Sequence, residues 1–99
     1  MGETYTIIRR VVVEGSVQGV GYREFTRRAA LRLGVSGWVR NRSDGAVEAL
    51  VRGSPTGVEA LIAEMRRGPR FAVVESMSVI EHDETQGEDG GTFIVLSTA

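Results

Sequence analysis

A β-branched run from Ile7 to Val13 leads into Gly15-Ser16-Val17-Gln18-Gly19-Val20-Gly21, and a helical pattern begins directly after it at Tyr22. This junction sets a strand and a helix in immediate succession. Three glycines within Gly15 to Gly21 let the backbone turn tightly and approach a ligand without Cβ obstruction. Several backbone N–H groups can then face one concavity, a geometry suited to an anion. The helix that follows adds the positive end of its dipole. Arg23 falls in the first helical turn, where a cation is disfavoured unless something negative sits in front of it. Loop, dipole and arginine together predict a seat for a phosphate-like group.

The chain has 99 residues, which predicts a single domain over 1–99 with one core and no need of staples. No apolar run approaches the roughly 20 residues of a membrane span. Met1-Gly2-Glu3-Thr4-Tyr5 lacks a basic region followed by an apolar block, so no signal peptide is expected and the cytoplasm is the expected location. Cysteine is absent, which excludes disulfides, thiolate nucleophiles and cysteine-based metal sites. The formal net charge is -1, and every basic residue is arginine. A near-neutral balance argues against a dedicated nucleic-acid binder, which carries a basic excess.

Strand and helix signals alternate along the chain. Tyr5 to Glu14 reads as the first strand and Tyr22 to Leu33 as the first helix. Tyr22, Phe25, Ala29 and Leu33 form its apolar stripe, and Gly34 is its stop. Val35 to Arg42 and Ala46 to Arg52 are the next two strands, joined by the hairpin signal Asp44-Gly45. Ser54 caps the second helix, Pro55 opens it, and Gly68-Pro69 ends it. Val58, Leu61, Ile62 and Met65 are its core positions. Val73 to His82 is the fourth strand, with Met77 and Val79 facing the core. Thr85 to Gly91 reads as a mobile loop and Thr92 to Leu96 as a short last strand. The order βαββαβ with right-handed crossovers places both helices on one face of a sheet. The predicted fold is therefore an α+β, ferredoxin-like two-layer sandwich with an additional short C-terminal strand.

Most apolar residues need only a packing role. Trp38 is expected half-buried on its strand. His82, among Glu81, Asp83 and Glu84, fits a solvated strand end better than a metal site, because no paired-ligand spacing accompanies it. Arg27-Arg28 and the Arg66, Arg67 and Arg70 group fit helix faces and helix ends better than an RNA surface. Asn41 taken alone is a turn residue beside a hairpin.

Asn41 acquires a different standing from the second motif around it. That motif is Gly37-Trp38-Val39-Arg40-Asn41-Arg42-Ser43-Asp44-Gly45-Ala46-Val47, closed by Gly53. Together with Gly15 to Arg23 it resembles the acylphosphatase family. The first signature is a glycine, one residue, Val-Gln-Gly-Val, one residue, an aromatic and Arg. The second is Gly-aromatic-small-basic-Asn, three residues, Gly, one residue, Val, five residues, Gly. Neither departs from the pattern at a defining position, and the resemblance extends from about Val11 to Leu96.

The resemblance implies hydrolysis of the carboxyl–phosphate mixed anhydride to a carboxylate and inorganic phosphate. It implies that Arg23 holds the phosphoryl group together with backbone N–H groups of Gln18, Gly19, Val20, Gly21 and Tyr22, and that Asn41 aims the attacking water. No metal or cofactor is implied. The expected partner is a small-molecule acyl phosphate, with no nucleic acid and no membrane, and nothing demands more than a monomer. Two alternatives stand beside this. One is a non-catalytic acyl-phosphate or carbamoyl-phosphate binding module. The other is an RNA-binding ferredoxin-like module, which uses sheet aromatics that Ala46 to Val51 lacks.

Overall fold

The computed structural model describes residues 5–82 and 91–99. Its elements are β1 (Ile7–Ser16), α1 (Tyr22–Leu33), β2 (Ser36–Asn41), β3 (Val47–Gly53), α2 (Pro55–Arg67), β4 (Val73–His82) and β5 (Phe93–Val95). The five strands form one sheet in the order β4-β1-β3-β2-β5. Every pairing is antiparallel except that of β2 with β5. This is the expected βαββαβ sandwich with a short additional strand.

Period-two alternation decides which residues face the helices. Val11 and Val13 on β1 lie opposite Ala49 and Val47 on β3, and all four are buried on the helix side. Val39 on β2 pairs with Ala49 and extends the same layer. Val58, Leu61 and Met65 of α2 and Ala29 and Ala30 of α1 close over them. The helices end where the sequence stops them. The Ser54 hydroxyl accepts from the Gly57 N–H at 3.0 Å, and Gly34 in a left-handed conformation donates back to Ala30 and Leu31.

Several expectations need correction. β1 runs two residues past Glu14, because a register shift at Glu14/Gly15 lets pairing with β4 resume at Gly15 and Ser16. The buried face of α1 turns toward Thr26 and Ala30, while Phe25 and Leu33 are only partly buried. Thr26 tolerates full burial because its hydroxyl donates to the Tyr22 carbonyl at 2.9 Å. Val79 faces the core side opposite Val11, yet it is 40% exposed. β4 is an edge strand, and every residue from Ser78 to His82 is exposed, so neither of the two described helices covers that half. The predicted loop at 85–91 lies outside the described residues apart from Gly91, as do Asp83 and Glu84.

Among the described residues no helix packs on the other sheet face. Ile80, Arg10, Leu50, Trp38 and Ile94 form one row across it. Glu48 is buried there between Arg10 and Arg40, which donate to it at 2.7 and 2.9 Å. Burial pushes the Glu48 carboxyl up, but the hydrogen bonds from Arg40 and Arg10 outweigh it and hold the group below its ordinary value. Trp38 is half-buried, with the Arg40 guanidinium 4.8 Å from its ring centroid. Both central arginines of this face are thus committed to a carboxylate.

Candidate active site

The Gly15 to Gly21 loop crosses from the end of β1 to the start of α1. Val17 is fully buried and anchors it. Gly19 and Gly21 adopt φ of 78° and 80°, the left-handed region that glycine enters without strain. No described residue accepts a hydrogen bond from the backbone N–H groups of Gln18, Gly19, Val20 or Gly21. Gly21 also caps α1 without a side chain, so the first-turn N–H groups of the helix have no side-chain acceptor. The loop and helix end therefore present a set of donors that no described residue engages.

Arg23 stands in the first turn of α1 beside them. Its nearest acidic neighbour in sequence, Glu24, is taken by Arg27 at 2.8 Å and by Arg28 at 3.7 Å. The hydrogen bond from Arg27, reinforced by the charges of Arg27 and Arg28, holds the Glu24 carboxyl below its ordinary value. No described carboxylate pairs with Arg23. Among the described residues its guanidinium fork is left free for an external anion.

Asn41 ends β2. Val39, two residues earlier, is buried under the helices, so alternation turns Asn41 toward the same side and toward the start of α1. Its carbonyl accepts from the Ala99 N–H at 3.0 Å, while its side-chain amide bonds to no described residue. A cavity of about 340 Å³ joins these parts. Gly19, Gly21, Tyr22 and Arg23 line it from the loop and α1, and Asn41 and Val95 from the sheet. Five of the seven residues singled out from the sequence thus meet at one cavity.

Gln18 and Val20 do not line it. Val20 packs against the core. The Gln18 side chain turns away and donates to the Arg42 carbonyl at 2.8 Å and the Ala46 carbonyl at 2.9 Å. It ties the glycine loop to the hairpin that follows Asn41. That hairpin is closed by the Arg42 N–H on the Ala46 carbonyl at 2.8 Å and by Asp44, which accepts from the Ala46 N–H at 3.1 Å. Tyr22 offers the cavity no free polar side-chain group. Its ring is buried, its hydroxyl donates to the Met65 carbonyl at 2.6 Å, and burial pushes the phenol far above its ordinary range. Val95 escaped the sequence reading. It shares a face with buried Phe93, but its position depends on the parallel pairing of β5 with β2.

The Gln18 bridge gives a direct expectation. Gln18→Ala removes two bonds to half-buried carbonyls and is expected to cost about 1–2 kcal/mol of stability. Thermal unfolding by circular dichroism should show a midpoint lowered by roughly 5–10 °C. An unchanged midpoint would mean that the loop and hairpin hold their positions without it.

His82 lies on β4, at the opposite side of the sheet from β2 and β5. Among the described residues no group of three or more His, Cys, Asp or Glu side chains is placed to hold a metal ion. No helix among them is long and apolar enough to cross a membrane.

A family model for acylphosphatase matches residues 9–93. An acylphosphatase of Nitrobacter hamburgensis is 45% identical over 95 residues, covering 93% of this chain and 96% of the relative. One from Thiobacillus denitrificans is 53% identical over 79 residues, covering 80% and 85%. The crystal structure of acylphosphatase from Bacillus subtilis superposes with a TM-score of 0.84 at 33% identity, over 91% of this chain and 98% of that one. The chain belongs to the acylphosphatase family.

Proposed function

We propose that this chain, as one domain over 1–99, hydrolyses acyl phosphates to a carboxylate and inorganic phosphate. The observation that carries this reading is the meeting at one cavity of three groups that no described residue engages: the loop N–H donors, Arg23 and the Asn41 amide. Arg23 grips two oxygens of the phosphoryl group through its fork, and the N–H groups of the loop and first helical turn take the others. These donors are fixed before substrate arrives, so they stabilise the equatorial charge of the transition state without reorganising.

Asn41 accepts from the attacking water through its side-chain carbonyl and aims it at phosphorus. The water oxygen forms a bond to phosphorus as the phosphorus–acyl oxygen bond breaks. The electron pair leaves on the carboxylate, whose conjugate acid has a pKa of about 4, so no protein acid is required. The water proton passes to a phosphate oxygen, since Asn41 does not titrate and Glu24, the carboxylate that lines the cavity, is held ionised by Arg27 and Arg28. Release of phosphate from acetyl phosphate or benzoyl phosphate by the purified protein tests the reading. Binding of phosphate without turnover would favour the non-catalytic module instead.

Activity is expected to survive exhaustive chelation, because the described residues offer no carboxylate pair or histidine cluster at the cavity. Loss of activity on chelation, restored by one divalent ion, would overturn the mechanism. We place the enzyme in the cytoplasm. Its substrates are multiply charged and do not cross a bilayer, so it must share a compartment with their source. We also read it as a monomer, since Arg23, Asn41 and the loop come from one chain. Sedimentation at working concentration checks this.

A further inference from the structure

A second groove runs from the anion cavity along the outer side of α1, between it and α2. The two share Gly21 and Glu24. The groove encloses about 470 Å³, with Phe25 and Ala29 as its apolar floor. No residue of β2 or β5 lines it, so it lies on the side of Gly21 away from Asn41. We propose that this groove is the acyl subsite, receiving an uncharged aromatic or branched aliphatic acyl group while the phosphoryl group occupies the Arg23 cavity. The proposal rests on the hydrolase reading above.

The direction follows from in-line displacement. The attacking water and the leaving oxygen stand on opposite sides of phosphorus. If Asn41 holds the water, the acyl oxygen leaves away from Asn41, toward the Gly21 and Glu24 wall. The groove begins at that wall. Between Gly21 and Arg32 it follows about 16 Å of helix, which accommodates a benzoyl group in its first half and a longer chain in the whole.

The acyl class follows from charge and shape. Two glutamates, Glu24 and Glu64, and two arginines, Arg28 and Arg32, border the groove. They are mutually paired, Glu24 with Arg28 and Glu64 with Arg32, so the border carries no net charge to attract an ionised acyl group. Phe25 is partly buried, with its ring centroid 6.2 Å from that of the buried Tyr22. Phe25 is partly exposed and so has ring surface to offer a ligand. This also accounts for a phenylalanine that α1 does not place in the core.

The test compares kcat/KM for benzoyl and acetyl phosphate. The unaltered protein should favour benzoyl phosphate, and Phe25→Ala should lower the benzoyl-over-acetyl ratio about tenfold. Phe25→Leu, which keeps most of the apolar volume, should lower it less and guards against loss of fold, followed by circular dichroism. A readout free of turnover accompanies it. Benzylphosphonate should bind more tightly than methylphosphonate and shift the NMR amide signals of Phe25 and Arg28. Equal affinity of the two phosphonates, or an unmoved substrate ratio in a folded variant, would overturn the subsite. Failure of the hydrolase reading looks different: neither acyl phosphate releases phosphate with the unaltered protein.

Discussion

Arg23→Ala is expected to lower turnover of benzoyl phosphate about 10³-fold or more, in the range of other phosphoryl-transfer arginines. The magnitude follows from what surrounds the residue. Arg23 has no described carboxylate partner, so its whole charge faces the cavity. The negative charge it meets is present in the bound substrate and persists in the transition state. Its loss should therefore weaken binding as well as rate, raising the inhibition constant of inorganic phosphate along with the loss in kcat. Arg23→Lys should recover only part of the activity, because an ammonium restores charge without the bidentate fork. The fold should persist, since removal breaks no ion pair among the described residues. Near-normal turnover by Arg23→Ala would remove this residue from the mechanism.

The parts of the site that were legible in the sequence are those fixed by local chemistry. The β-branched run, the glycine loop and the helix start lie within one short stretch, and their juxtaposition needs no tertiary knowledge. Asn41 acquired meaning only through the surrounding motif, because a lone asparagine beside a hairpin has an ordinary turn role. The structure adds what long-range pairing alone can supply. The parallel pairing of β5 with β2 brings Val95 to the cavity, although more than fifty residues of chain separate it from Asn41. The Gln18 side chain reaches across to Arg42 and Ala46, so the residue serves the site through its amide rather than only through its backbone.

Misread burial has equally physical causes. Apolar stripe counting placed Phe25 in the core and passed over Thr26, because it prices a hydroxyl as exposed. Thr26 instead donates a hydrogen bond from its hydroxyl to the Tyr22 carbonyl within its own helix. Alternation assigns Val79 to the correct face, but a face is buried only where something covers it, and none of the described elements covers half of β4. Periodicity reports direction and leaves enclosure to the packing of distant elements.

Asn41→Ala separates the roles assigned to the two side chains. Asn41 is assigned to the water, which matters chiefly in the transition state, whereas Arg23 and the loop donors are assigned to the substrate phosphoryl group. Removing a positioning group of this kind costs about 10²- to 10³-fold in turnover. Competitive inhibition by phosphate should stay close to normal, because none of the assigned phosphate donors is lost. Arg23→Ala moves both quantities, so the pair of variants distinguishes anion binding from water positioning. Stability should change little. The Asn41 amide bonds to no described residue, and the bond from the Ala99 N–H goes to the backbone carbonyl, which alanine retains. Asn41→Asp sharpens the result. A carboxylate still accepts from water, but it sets a negative charge beside an anionic substrate and should weaken phosphate binding, which Asn41→Ala leaves intact. A folded Asn41→Ala protein that turns over normally would return this residue to the hairpin and leave the water to be aimed by the substrate itself.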